Sequence, residues 1–196
     1  VAVPFVGLTG GLGAGKSTAL AALQRRGAAV LSTDAVVHEL YRSEAVCAEL
    51  RERWGDSVFD GQEVDRAEIA RRIFSSADER DWLEGLLWPL VAEGVEEFRE
   101  SLATRLPRPV AGVVETPLLF EAGVEERFDE TIAVVADDRL RRERVAARDQ
   151  QQLAAREARQ LPQEEKARRA SYVIVNNGSV AELEEALGVV LAGLVK

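Results

Sequence analysis

The stretch "GLTGGLGAGKSTAL", from Gly7 to Leu20, sets glycines at 10, 11, 13 and 15 ahead of Lys16, Ser17 and Thr18. The spacing Gly10-x-x-x-x-Gly15-Lys16-Ser17 fits phosphate chemistry. Glycines let the backbone N–H groups of Gly11, Leu12, Gly13, Ala14 and Gly15 converge on phosphate oxygens without side-chain clashes. A helix opening at Lys16 adds its positive end. Lys16 is placed to reach β- and γ-phosphates, Ser17 to ligate Mg²⁺, and Thr18 to sit near an α-phosphate. The motif predicts a nucleoside triphosphate with Mg²⁺ but leaves open where the γ-phosphate goes.

Three further groups bear on that question. Asp34 is a carboxylate able to orient or deprotonate an acceptor hydroxyl, or to hold Mg²⁺ through water. An aspartate at a helix start is equally favoured by the helix dipole alone. His38, one turn later on the same face, is either a substrate contact or an ordinary surface histidine. Glu115 ends the apolar run "AGVVE" and is the stronger candidate for a second carboxylate near Mg²⁺. Asp137 and Asp138 read better as the start of the next helix. Arg141, Arg144 and Arg148 fall at i, i+3 and i+7, on one helix face, where arginines can neutralise charge on a transferring phosphoryl group.

These groups need elements to hold them. "VPFVGLT" reads as a buried strand, and "KSTALAALQRRG" as a helix stopped at Gly27. "AAVLST", Val110 to Glu115, "ETIAVVADD" and "YVIVNNG" read as four further strands. Strands separated by helices imply a doubly wound, parallel, five-stranded α/β sheet, with ligands bound at its carboxyl edge. Helical sequence from Asp34 to about Leu106 and from Asp138 to Ala170 interrupts it as insertions. Ser76-x-x-Glu79 and Ser179-x-x-Glu182 are capping boxes, Pro89 is expected to kink or split its helix, and Pro162 is expected at a first helical position. The apolar stripe Trp82, Leu83, Leu86, Leu87 and Leu90 is expected to pack a core.

Composition narrows the class. The 196 residues carry a formal charge of −9 and 46% hydrophobic residues, which suits one domain with insertions and argues against a nucleic-acid binder. Charge is uneven: residues 138–170 hold ten Lys and Arg against six Asp and Glu, a net of +4, leaving −13 elsewhere. A basic segment in an acidic chain points to a focused anion site. The single Cys47 forms no internal disulfide and agrees with a reducing cytoplasm. No apolar run is long enough for a membrane span, and no export signal is expected.

Read together, "GLTGGLGAGKST", "AAVLSTDAVVHELY", "RRIF" with "WLEGLLWPLV", "ETPLLFE", "RVAARD" and "RQLPQEEKARRASYVIVNNG" resemble the dephospho-CoA kinase family over nearly the whole chain. The resemblance implies a P-loop kinase sheet formed by residues 1–33, 107–137 and 171–196. It implies a CoA-binding region over 34–106 and an Arg-rich lid over 138–170. It makes Asp34 the catalytic carboxylate near a ribose 3′-hydroxyl and sets Arg144 and Arg148 against ATP phosphates. Pro117, Leu118, Leu119, Phe120 and Glu121 would line the substrate crevice, and Asn176 to Gly178 would lie near adenine. The acceptor it implies is dephospho-CoA, with no nucleic-acid or membrane partner, and a monomer or weakly self-associating chain is expected. The chain departs from the family pattern at Ser32, at His38, at Trp88 before Pro89, and in a shorter stretch between Asp149 and Gln160. Two other readings of the residues are a P-loop kinase acting on a nucleoside monophosphate or another small metabolite, and a nucleotide-dependent switch.

Overall fold

Burial of every residue of β1 (Phe5–Gly10) sets the centre of the molecule. The computed structural model describes residues 2–146 and 158–194. Around β1 lie β2 (Ala29–Ser32), β5 (Gly112–Glu115), β6 (Glu130–Val135) and β7 (Tyr172–Val175), in the order β2-β5-β1-β6-β7. Every pairing in this sheet is parallel, with Val6 beside Val113 on one side and Glu130 on the other. Parallel strands need crossovers, which is why helices separate them in sequence.

The alternation of β1 divides its side chains between two layers. Val6 and Leu8 join Ala19, Ala22 and Leu23 of α1 (Lys16–Arg25). Leu183, Leu187, Val190 and Leu191 of the last helix, α8 (Val180–Leu194), complete that layer. On the other face Phe5 stacks on Phe128 at 5.1 Å between ring centroids and tilts against Phe98 at 6.3 Å. A Cβ at Gly7 would overlap Leu119, so glycine here is what lets the turn after β5 close over the sheet.

The chain divides into two compact units, residues 1–32 with 98–196, and residues 33–97. The second unit therefore stops short of Leu106. Phe98 and Leu102 are buried against the sheet unit, Phe98 on Phe5 and Leu102 over Gly112. Within residues 33–97, α2 (Thr33–Leu40), α3 (Glu44–Trp54), α4 (Arg66–Ser75) and most of α5 (Ala77–Ser101) enclose their own core. Val46, Leu50, Trp54, Val58, Ile69, Leu83 and Leu87 form it, with the two-stranded antiparallel pair β3 (Phe59–Asp60) and β4 (Glu63–Val64) beside them.

Three local expectations change. Pro89 does not split α5, which runs unbroken from Ala77 to Ser101 because buried side chains hold it on both sides, Leu83 and Leu87 before and Val95 and Phe98 after. The first capping box is half made: Ser76 Oγ accepts from Glu79 N, but the Glu79 carboxylate turns to Arg53 and to Trp54 Nε1 at 2.6 Å. Pro162 is not the first residue of its helix but the cap before α7 (Gln163–Arg169). The second capping box forms in full, with Glu182 Oε2 accepting from Ser179 N and Ser179 Oγ accepting from Glu182 N.

Candidate active site

The loop between β1 and α1 is built on left-handed glycines. Gly13 has φ +73° and Gly15 φ +97°, a region closed to most side chains. A Cβ at Gly13 would stand 2.6 Å from the Arg141 carbonyl oxygen, and one at Gly15 would overlap Asn176 Nδ2. Gly15 caps α1 without any side-chain hydrogen bond, and the first turn of α1 holds no acidic residue. The positive helix end is thus left for an external anion. Lys16 Nζ folds back onto the loop, donating to the carbonyl oxygens of Gly10 (3.0 Å) and Gly11 (3.1 Å). Ser17 and Thr18 are exposed in the same turn.

Arginines meet this loop from α6 (Asp138–Val145). Arg141 Nε donates to the Leu12 carbonyl oxygen at 2.8 Å, while its Nη1 pairs with Asp138. Arg144 Nη2 donates to the Asn176 carbonyl oxygen at 3.0 Å, and its Nη1 lies 3.5 Å from the Gly13 carbonyl oxygen. The i, i+3 spacing does bring these two arginines to one place. Arg148 and Arg156 lie outside the described residues. Asp137 is the cap of α6 but makes no side-chain cap bond; its own N–H donates to Asn177 Oδ1.

Asn176 ties the loop to the last strand. Its Nδ2 donates to the Ala14 carbonyl oxygen at 2.8 Å, and its backbone N–H continues the ladder to Val135. Gly178 follows in the turn before α8, where a Cβ would overlap Glu182. A cavity of about 270 Å³ opens beside the loop, lined by Gly11, Arg141, Gln160 and Gln163 among others. The Gln163 side chain clasps the end of β6, accepting from Ala136 N and donating to Ala136 O.

The strand ends at the carboxyl edge carry the acidic candidates. Glu115 is half-buried, in register with Leu8 on one side and Ser32 on the other. Beyond it, the crevice expected from Pro117 to Glu121 takes another form. Leu119 and Phe120 are buried, Pro117 and Leu118 half-buried. Glu121 turns inward, its Oε1 accepting from Leu161 N at 2.7 Å and pairing with Lys166 Nζ at 3.0 Å. Apolar packing over Gly7 and the buried Lys166 ammonium hold this turn in place.

Lys166 itself was not legible as special among the charges of "PQEEKARR". It is fully buried in α7, and burial pushes its ammonium below the ordinary lysine range while the hydrogen bond and charge of Glu121 oppose that shift.

In the unit of residues 33–97, Asp34 is exposed in the first turn of α2. His38 is half-buried, its Nδ1 3.4 Å from Arg66 Nη1. A cavity of about 280 Å³ in this unit has Val36, Leu40 and Leu90 on its walls and Glu39, Glu93 and Glu97 around them. Tyr41 lies nearby in sequence, its hydroxyl raised to about 12 by burial against the lowering effect of Arg66.

A parallel sheet with a glycine-rich phosphate loop after its central strand, and arginines closing on that loop, defines a P-loop kinase. The family model for dephospho-CoA kinase matches residues 4–182. The Thermus thermophilus dephospho-CoA kinase is 38% identical over 97% of this chain and 91% of its own length, and that of Deinococcus radiodurans is 38% identical over 96% and 91%. The chain belongs to the dephospho-CoA kinase family. A crystal structure from Thermus thermophilus superposes with a TM-score of 0.82 at 35% identity, covering both chains completely. Shikimate kinase from Acinetobacter baumannii, at 15% identity and a TM-score of 0.53 over 99% of this chain and 96% of its own, shares the fold.

Proposed function

We infer that this chain transfers the γ-phosphate of ATP to the ribose 3′-hydroxyl of dephospho-CoA, giving coenzyme A and ADP, the last step of coenzyme A synthesis. The observation that carries the reading is the uncapped, glycine-cradled start of α1 beneath Arg141 and Arg144, in a chain of this family.

The loop N–H groups and the helix end hold the nucleotide phosphates, and Lys16 leaves its loop carbonyls for the β- and γ-oxygens. The residues fit Mg²⁺ as a phosphate-bound ion, since Ser17 offers an exposed hydroxyl beside the loop. When bound, Mg²⁺ neutralises charge on the phosphates, with Glu115 as a further carboxylate. Asp34 orients the acceptor hydroxyl and takes its proton as the oxygen attacks in line. Arg144 and Arg148 stabilise charge on the equatorial oxygens, and the 138–170 segment acts as a lid that keeps water out. By the family resemblance, residues 34–106 receive the CoA end of the acceptor, His38 and Pro117, Leu118, Leu119, Phe120 and Glu121 are contacts, and Asn176 and Gly178 bound the adenine side. A monomer or weakly self-associating chain acting in the cytoplasm completes the reading.

Asp34→Asn tests the acceptor half of this reading. It is expected to lower kcat by about 10²–10⁴-fold, the usual size of a general-base contribution, with ATP affinity nearly unchanged. Equal loss of turnover and ATP binding removes Asp34 from that role.

A further inference from the structure

We propose that Lys166 is a positioning residue for phosphoryl transfer, locking the entry to the phosphate loop, the turn after β5 and the helix α7 into one arrangement through its pair with Glu121. The proposal rests on the function inferred above.

Four contacts define the lock. Lys166 Nζ donates to the Pro117 carbonyl oxygen at 2.5 Å, to Glu121 Oε1 at 3.0 Å and to Thr9 Oγ1 at 3.5 Å. Thr9 Oγ1 in turn donates to the Pro117 carbonyl oxygen at 3.3 Å. Thr9 immediately precedes Gly10, where the phosphate loop begins, and Pro117 lies two residues after Glu115. Leu161 N–H closes the circuit on Glu121 Oε1 at 2.7 Å, just before α7. One buried ammonium thus fixes the loop entry, the turn that follows Glu115 and the helix near the end of the basic segment.

The chemistry of the pair explains why it serves geometry better than stability. Both charges leave water: Lys166 is fully buried and the Glu121 side chain is 14% exposed. Their attraction offsets desolvation only in part, and Glu121 Oε2 remains buried without a hydrogen-bond partner among the described residues. Apolar side chains of similar volume would fill the same space without burying charge, losing only the acceptor of the Leu161 N–H. What they could not supply is a directional donor aimed at Pro117 and Thr9 together.

The test compares the parent enzyme with Lys166→Met, Glu121→Gln and the double variant Lys166→Met/Glu121→Leu, reading kcat, both KM values and thermal unfolding. The single Lys166→Met leaves a buried carboxylate unpaired and is expected to unfold at a lower temperature. The double variant removes both charges and regains most of the lost unfolding temperature, short of the Leu161 hydrogen bond. Its kcat stays about 10²-fold low, the scale of a small misplacement of reacting groups, while KM for ATP and for dephospho-CoA each stay within about threefold of the parent. Glu121→Gln keeps an acceptor for Lys166 and Leu161 and gives an intermediate kcat. A double variant that recovers kcat along with stability overturns the proposal, since the pair would then be structural alone. A raised KM for dephospho-CoA with kcat unchanged also overturns it, by making these residues substrate contacts. A parent enzyme without dephospho-CoA-dependent turnover fails the functional reading instead, and the proposal with it.

Discussion

Asn176, in the turn after β7, donates from Nδ2 to the carbonyl oxygen of Ala14, 2.8 Å away and 162 residues earlier in the chain. The contact ties the phosphate loop to the turn after the last strand of the sheet. It also leaves no room for a side chain at Gly15, whose φ of +97° is already unfavourable for other residues.

Gly15→Ala is therefore expected to break this contact and distort the loop. Affinity for ATP should fall by at least about tenfold, corresponding to about 1.4 kcal/mol, with the fold retained. Calorimetric titration with ATP checks this. Parental affinity in the variant would mean that the loop tolerates displacement of Asn176.

Lys16 gives a separate prediction. Its ammonium donates to the Gly10 and Gly11 carbonyl oxygens, contacts local to the loop, so Lys16→Met should shift the unfolding temperature far less than it lowers turnover. Its kcat is expected to fall by about 10²–10³-fold, the usual effect of removing one positioned donor from a developing anion. Steady-state kinetics beside a melting curve separates the two effects, and a large loss of stability would contradict the assignment.

The second capping box predicts a pH dependence. Hydrogen bonds from the Ser179 backbone and hydroxyl hold Glu182 below the ordinary carboxylate value of 4.5. The folded chain binds this proton less readily than the unfolded one, so the cap stabilises above pH 4.5 and its contribution is lost as pH falls through the lowered folded value. Glu182→Gln should unfold at a lower temperature than the parent at pH 7, and the two melting temperatures should converge in acid. A gap that persists or widens in acid would contradict this.

What the sequence made legible was whatever depends on neighbours. The phosphate loop between an apolar strand and a helix, the strand ending at Glu115, and the reciprocal cap of Ser179 and Glu182 on the last helix are all local patterns, and each forms as read. Ser76 and Glu79 carry the same letters as Ser179 and Glu182, yet Arg53 and Trp54, 25 to 26 residues upstream, draw the Glu79 carboxylate away. Pro89 lies within a helix because burial on both sides outweighs one missing hydrogen bond. Lys166 and Glu121 sit among many charged residues, and nothing in spacing separates the buried pair from solvated ones. The packing of Leu119 over Gly7 is equally hidden in the sequence, because it joins residues far apart in the chain.

The acceptor is the centre of the account, and ADP release measured in a coupled assay with Mg²⁺-ATP tests it most directly. Dephospho-CoA, AMP, adenosine and buffer alone should be compared side by side. Turnover with dephospho-CoA far above the other three, with phosphate found on the ribose 3′-oxygen of the product, is the expected result. Equal or greater turnover with AMP or adenosine would contradict the acceptor, and ADP release that ignores every acceptor would contradict phosphoryl transfer itself.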